Sequence, residues 1–320
     1  MKLLVNTSPH IKSRDTTRRI MLDVVIALIP ALAAGVWQFG LRALLVALAG
    51  VSASLLAELI CDVLMKKRIT IDDGSAAVTG LLLSMTLPAS VPYWTVALGG
   101  AFGVVIGKLA CGGVGQNPFN PALAARAFLM LLFPMQLVRY AAPGTPLPLL
   151  GSVDVVASAT PLHDMQRPAL PGESLLSCFI GDMGGSIGEV SKLALLLGGA
   201  YLVFRRVIDF RIPLAYLGTL ALLSLVFSSV SPVEWMLYNL LTGGAVLAAI
   251  FMATDYASSP VTPKGRLIYG AGCGALTLFF RRFGLFPEGA TYAILLMNAC
   301  AWAIDRLTAP RVYGKEGGLA

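Results

Sequence analysis

Residues 20–40, IMLDVVIALIPALAAGVWQFG, form the first long apolar run of the 320-residue chain and contain one charged side chain, Asp23. A helix crosses the hydrocarbon core of a bilayer with about 20 apolar residues, so this run predicts a membrane-spanning helix. The whole chain is 57% hydrophobic and 13% charged, whereas about a quarter of the residues of a soluble domain are charged. The sequence therefore predicts an all-α integral membrane protein embedded in a lipid bilayer. Ten spans are predicted, at residues 20–40, 42–65, 74–88, 92–111, 119–135, 187–205, 212–230, 235–254, 266–281 and 289–306.

Basic side chains indicate the orientation of these spans. Lys and Arg concentrate in cytoplasmic loops, and 18 of the 24 fall on the face that carries the N-terminus. This bias predicts a multi-pass protein with both termini in the cytoplasm, and it explains the net charge of +7 without a nucleic-acid partner. The first helix lacks a cleavage site and is expected to remain in the mature chain. Six basic residues fall on the outer face, namely Arg42, Arg139, Arg167, Lys192, Arg281 and Arg282.

The two halves of the chain resemble each other. Thr79-Gly80 precedes a proline-containing break in the first half, and Thr242-Gly243-Gly244 precedes another in the second. Five spans in each half, an odd number, predict that the second half is inverted relative to the first, and interrupted helices of inverted repeats often bind small molecules. The predicted organisation is a cytoplasmic arm (1–19), a first repeat (20–135), an external segment (136–186), a second repeat (187–306) and a cytoplasmic tail (307–320).

Two polar clusters are candidate binding sites. In the first, Gly112 and Gly113 permit close approach of the backbone, and Asn117 and Asn120 each precede a proline, so their amides could offer a donor and an acceptor to a flavin or a nucleobase. A helix-breaking turn explains the same residues equally well. Arg126, further along, is either an end residue that reaches the interface or an anion partner for a phosphate or a reduced flavin, which would place it at the second flavin site.

The second cluster contains Thr254 and Asp255 at the break in the second half. It could line a cofactor or cation site, or it could be a capped helix end in which Asp255 pairs with Lys264 or Arg266. Two carboxylates in the second span, Glu58 and Asp62, are expected near the cytoplasmic interface, because ionisable groups inside a membrane are costly.

The stretch Asp154–Pro161, DVVASATP, is the third candidate. Small neighbours, Ser158 and Ala159, leave the hydroxyl of Thr160 accessible, which suits a site of modification, although an ordinary polar turn has the same pattern. The five cysteines show no metal-binding spacing, and the two histidines lie outside the apolar runs, which excludes a bis-histidine haem within the membrane. No nucleotide-hydrolysis motif is present.

These motifs, in this order, give the chain a resemblance to the D subunits of Rnf complexes, ion-translocating ferredoxin:NAD oxidoreductases, and a more distant one to the B subunits of sodium-translocating NADH:quinone reductases. The resemblance implies FMN joined to Thr160 through a phosphoester, made by a flavin transferase that reads Asp154, Ser158 and Ala159 as its motif. Val155 and Ala157 depart from that motif.

The resemblance also implies a non-covalent riboflavin near Asn117 and Asn120, and electron transfer between the two flavins that drives Na⁺ or H⁺ across the bacterial inner membrane. The chain would be one part of an oxidoreductase (translocase), with the A, B, C, E and G subunits as partners, and it would not be catalytically complete alone. Two alternatives are a channel-like transporter of small solutes and a structural anchor for redox partners. Only the flavin acceptor motif distinguishes them, because the family's fold is similar to that of urea and ammonium channels.

Overall fold

The computed structural model describes residues 16–66, 69–145, 147–149, 151, 160–166, 170–228, 231–284 and 288–310, and within these ranges it is helical, with no β-strand. The helices are α1 (Thr17–Phe39), α2 (Leu41–Leu64), α3 (Ser75–Met85), α4 (Tyr93–Phe102), α5 (Pro121–Leu132), α6 (Pro134–Leu137), α7 (Pro161–Gln166), α8 (Leu175–Ile180), α9 (Lys192–Phe204), α10 (Arg211–Val226), α11 (Pro232–Leu241), α12 (Ala245–Leu247), α13 (Pro263–Phe283) and α14 (Ala290–Thr308). Two π-helical turns, Gly103–Leu109 and Ala248–Met252, continue α4 and α12.

Each of the ten predicted apolar segments contains a helix or a pair of helices. By length and composition, α1 with 23 residues and α2 with 24 are sufficient to cross a bilayer. Helix α11 and the helical segment Ala245–Met252 form a bent pair, with an angle of 64°, that could supply a third span. The all-α prediction is confirmed, and the apolar helices are those of a membrane protein.

Glycines allow the helices to cross closely in both halves. A Cβ on Gly80 of α3 would lie 2.5 Å from the carbonyl oxygen of Gly50 in α2, and a Cβ on Gly270 of α13 would lie 2.7 Å from the carbonyl oxygen of Ile212 in α10. Contacts this short exclude a larger side chain. Membrane helices rely on such small residues because water does not drive their association.

Buried arginines satisfy the backbone at two helix breaks. Arg42 in α2, which is 2% exposed, donates to the carbonyl oxygen of Ala89 at 2.9 Å, in the loop between α3 and α4. Arg281 in α13 donates to the carbonyl oxygen of Thr242, between α11 and α12, at 3.0 Å, and to that of Asn239 in the last turn of α11. Carbonyls at membrane depth need internal partners. This requirement explains why Arg281 is basic although it was assigned to the outer face, where few Lys and Arg residues are expected.

The segment that precedes α9 lies inside the protein. The backbone N–H of Ile187 donates to the carbonyl oxygen of Leu87, just beyond α3, at 3.0 Å. The backbone N–H of Gly188 donates to the carbonyl oxygen of Met85, the last residue of α3, at 2.8 Å. Lys192, which the charge count placed on the outer face, is fully buried and donates to the carbonyl oxygen of Glu189. The predicted span 187–205 therefore begins with a buried, non-helical segment, and α9 itself starts five residues later.

Candidate functional site

The main candidate site is a cavity of about 290 Å³ between the two halves of the chain, which we call cavity A. Side chains of α1, α3 and α9 form its largely apolar walls, and its size is near the lower end of the range for small-molecule sites. The apolar part of the lining includes Val24, Leu82, Leu202 and Phe251. The polar part includes Ser75, Thr79, Lys108, Asn117, Asn120, Thr254 and Asp255.

The structure thus brings together four residues of the two predicted polar clusters, Asn117, Asn120, Thr254 and Asp255. These four side chains differ in how many hydrogen bonds they can still offer to a ligand in the cavity. Asn120 caps α5 by accepting from the backbone N–H groups of Ala122 and Leu123, and its amide nitrogen donates to the carbonyl oxygen of Met252. Its side chain therefore closes the wall of the cavity and has little left to offer a ligand.

Asn117 and Asp255 join the two halves directly. The amide nitrogen of Asn117 donates to the carbonyl oxygen of Phe119 at 3.0 Å and to Asp255 Oδ2 at 3.4 Å. Burial raises the pKa of Asp255, and the hydrogen bonds from Ser258 and Asn117 act in the opposite direction. The expected pairing of Asp255 with Lys264 or Arg266 is wrong, because Arg266 pairs with Asp209 at 2.7 Å and Asp255 accepts from Ser258.

The two π-helical turns lead into cavity A from opposite halves. The turn Gly103–Leu109 contributes Lys108, and the turn Ala248–Met252 contributes Ile250 and Phe251. Single π-turns within helices occur frequently at functional sites. Gly112 and Gly113 have φ angles of 114° and 109°, which glycine adopts readily. They shape the loop after the first turn but do not line the cavity.

Lys108 has only 3% of its surface exposed, and its ammonium group lies among oxygens. The Nζ atom is 2.5 Å from Glu58 Oε1, 2.6 Å from Ser75 Oγ and 3.5 Å from Asp73 Oδ2. Glu58 and Asp62, which are expected near the cytoplasmic interface, are buried within the protein at 0% and 1% exposure. They are tolerated inside the protein because Lys108 and a threonine hydroxyl contact them.

Thr160 lies at a different place, in a narrow cleft of about 10 Å³, which we call the Thr160 cleft. Glycines and two carboxylates, Glu189 and Glu288, form much of its lining. A volume of this size has room for about one water molecule. A ring system attached to Thr160 would therefore have to lie outside the cleft. Asp154, Ser158 and Ala159, which precede it, lie outside the described residues.

Arg126 is located beside the Thr160 cleft and does not line cavity A. Its guanidinium pairs with Glu288 and lies 3.7 Å from Glu189 Oε1, and the hydroxyl of Tyr140 donates to Glu288 at 2.8 Å. The side chain of Arg126 is 11% exposed, so its charge is largely enclosed with these carboxylates. Neither interpretation of this residue from the sequence anticipated two carboxylate partners, which lie 63 and 162 positions further along the chain.

Cavity A combines a mostly apolar wall with a small number of polar side chains, the composition typical of small-molecule sites. Its walls are mostly apolar, and the carboxamide of Asn117, the hydroxyl of Thr254 and the ammonium of Lys108 lie at its polar edge. Lys108 was not selected from the sequence, because its ion pair with Glu58, 50 residues earlier, cannot be read from the spacing of residues.

Comparison with known proteins gives a family and several similar proteins. A family model described as "NQR2, RnfD, RnfE family" matches residues 4–314. The chain is 44% identical to the D subunit of the Na⁺-translocating ferredoxin:NAD⁺ oxidoreductase complex of Acetobacterium woodii, with 98% of this chain and 96% of the relative covered. It is 38% identical to the D subunit of the proton-translocating ferredoxin:NAD⁺ oxidoreductase complex of Clostridium ljungdahlii (97% and 96% covered). It is 35% identical to the D subunit of the ion-translocating oxidoreductase complex of Escherichia coli O9:H4 (99% and 100% covered).

Proposed function

Because the chain belongs to the NQR2, RnfD, RnfE family over nearly its whole length, we propose that it carries electrons through the membrane part of an Rnf-type complex and helps to couple their transfer to ion movement. As a member of this family it is a subunit of an ion-translocating oxidoreductase complex. In this proposal its partners are the A, B, C, E and G subunits of that complex. The full-length match carries the proposal, and the two sites described above would hold its cofactors.

The first cofactor in this proposal is FMN, held covalently by Thr160. The half-buried position of Thr160 at a cleft with room for about one water molecule supports a tether whose ring lies outside the cleft. A tethered cofactor loses no translational freedom when it occupies its site. A flavin transferase would form the phosphoester during maturation.

Replacement of Thr160 by Ala tests the tether. The variant should lose flavin fluorescence at this subunit's position in a denaturing gel, while Thr145→Ala, in the same segment, should keep it. Both proteins should be produced in a bacterium that contains the flavin transferase. Fluorescence that survives in the Thr160 variant would show that another residue carries the flavin.

The second cofactor is a non-covalent flavin, riboflavin in the simplest form, in cavity A. The support is that Asn117 and Thr254, from opposite halves of the chain, meet at one largely apolar cavity. A bound flavin would accept and release one or two electrons there. Asn117 would hold it by its amide, the side chain of Phe251 would exclude water, and Lys108 would favour added negative charge.

Flavin extraction tests this second site. Denaturation of the purified subunit should release about one flavin per chain in addition to the covalent one, and Asn117→Ala should release substantially less. Asn298→Ala is a suitable control because Asn298 is also buried but does not line cavity A. Protein that is folded and covalently flavinylated but releases no flavin would contradict the second site and leave the first intact.

The proposed membrane topology is ten spans in two inverted five-helix repeats, with both termini in the cytoplasm and Thr160 on the outer face. The close glycine crossings of α2 with α3 and of α10 with α13 support equivalent packing in the two halves. Labelling of single-cysteine variants in intact cells tests it. Ser152→Cys should react with an impermeant thiol reagent, and Lys315→Cys should react only after the membrane is opened.

A further inference from the structure

Lys108 belongs to two sites at once. It lines cavity A, and its ammonium is also held in a cluster of oxygens with Glu58, Ser75 and Asp73. The two nearest groups to Nζ are the carboxylate of Glu58 and the hydroxyl of Ser75, and carboxylate and hydroxyl oxygens are also the ligands that hard cations take. The ammonium therefore occupies a position that would suit a small cation.

The cluster contains more negative charge than one ammonium neutralises. The hydroxyl of Thr70 lies 2.6 Å from Glu58 Oε1 and 3.0 Å from Asp62 Oδ2, so a third carboxylate adjoins the first two. Among the residues that the structure describes, Glu58 Oε2 is buried and has no hydrogen-bond partner. A buried carboxylate oxygen without a partner is costly, and a cation beside it would remove that cost.

We propose that Glu58, Asp73 and Ser75 form a Na⁺ site in which the ammonium of Lys108 takes the place of the ion until cavity A receives an electron. The site itself is a property of this chain alone, and its link to electron transfer rests on the proposed second flavin. Na⁺ fits because it replaces one positive charge by one positive charge, so the net charge of the cluster stays the same. Hard cations of this kind take carboxylate and hydroxyl oxygens as ligands.

The charges balance through one cycle. One electron, supplied by a reduced flavin or iron–sulfur centre of a partner subunit, adds one negative charge to cavity A. Lys108 turns towards that charge, because electrostatic attraction is strong in a poorly hydrated interior, and one Na⁺ binds to the carboxylates it leaves. When the electron passes to an oxidised acceptor, Lys108 returns and the Na⁺ is released.

The site can be tested without any flavin. Lys108→Met removes the internal competitor, so the flavin-free variant should be stabilised by NaCl relative to KCl and choline chloride at equal ionic strength, by about 5 °C in unfolding temperature at saturation. Lys108→Arg, which keeps the positive charge, and Lys264→Met, which removes an exposed lysine outside cavity A, should show no difference between the three salts.

The double variant Glu58→Gln/Lys108→Met should lose the response to NaCl, because the carboxylate is gone. Equal unfolding temperatures for Lys108→Met in the three salts would overturn the site. So would a Lys108→Met protein that is stabilised only by lower pH, because the exchangeable cation would then be a proton. If Lys108→Met does not fold, Lys108→Gln, which also removes the positive charge, decides the same question in the same three salts.

The link to electron transfer has its own readout. Flavin-loaded wild-type protein should show Na⁺-dependent stabilisation after reduction with dithionite and none when oxidised, and by reciprocity Na⁺ should raise the midpoint potential of the non-covalent flavin. No difference between the reduced and oxidised forms would overturn the link. Protein that releases no non-covalent flavin would instead contradict the proposed second cofactor, while the response of Lys108→Met still decides the cation site.

Discussion

At the scale of single residues, the interior holds charged groups that the sequence alone would assign to the surface. Glu58, Lys108 and Lys192 are at most 3% exposed, and Asp23 accepts from the hydroxyl of Tyr201 at 2.9 Å. Periodicity indicates that a residue lies in a helix, but it does not show which residue lies opposite. Each of these charges is explained by a contact that the spacing of residues in the sequence does not reveal.

Arg126 provides the first test at this scale. Arg126→Gln leaves Glu189 and Glu288 buried without their cation, so we expect a loss of about 3 kcal/mol or more in stability, whereas Arg126→Lys should lose less. Thermal unfolding of the purified proteins in detergent measures the effect, with Arg139→Gln as the exposed control. An Arg126→Gln protein that unfolds at the wild-type temperature would show that the two carboxylates do not depend on this pair.

Asp209 provides a test with pH. Burial raises the pKa of this carboxyl, but hydrogen bonds from the Arg211 backbone and from Arg266 lower it overall. A carboxyl with a lowered pKa in the folded state adds stability above its unfolded pKa of about 4 and loses that contribution as the pH falls further. The difference in unfolding temperature between wild type and Asp209→Asn should therefore be full at pH 6 and shrink below pH 4. A difference that grows on acidification would show that folding raises the pKa of Asp209, the opposite of the direction that we assign.

At the scale of helices, the sequence predicted where apolar segments occur but not how they are interrupted. The break between α11 and α12, the π-turn Ala248–Met252 and the buried segment before α9 depend on contacts such as Arg281 with the carbonyl of Thr242. Helix periodicity contains no information about such distant partners. Gly80 was visible in the sequence as part of a pattern shared by the two halves, and the structure gives it a reason in the crossing of α2 and α3.

Gly80 tests that reason. Gly80→Ala places a Cβ 2.5 Å from the carbonyl oxygen of Gly50, so α2 and α3 must separate, and we expect a loss of about 1–3 kcal/mol. Gly218→Ala in α10 is the matched control, because nothing lies within 4 Å of its new Cβ and alanine favours helix there. Equal behaviour of the two variants in thermal unfolding would contradict the importance of this crossing.

At the scale of the whole molecule, the sequence predicted an all-helical membrane protein and two polar clusters, and cavity A lies where those clusters meet. Asn117 and Asp255 could be selected in advance because each lies at a break in an apolar segment. Glu189, Glu288 and Glu58 could not be linked to the sites, because their roles depend on residues 50 or more positions away.

The most direct test of this account is peptide mapping by mass spectrometry of the subunit purified from a bacterium that contains its flavin transferase. The peptide that contains Thr160 should carry the mass of FMN, less one water, on that threonine, and the other peptides should be unmodified. An unmodified Thr160 in protein from such a host would contradict the covalent flavin, and the channel and anchor alternatives would then explain the chain better.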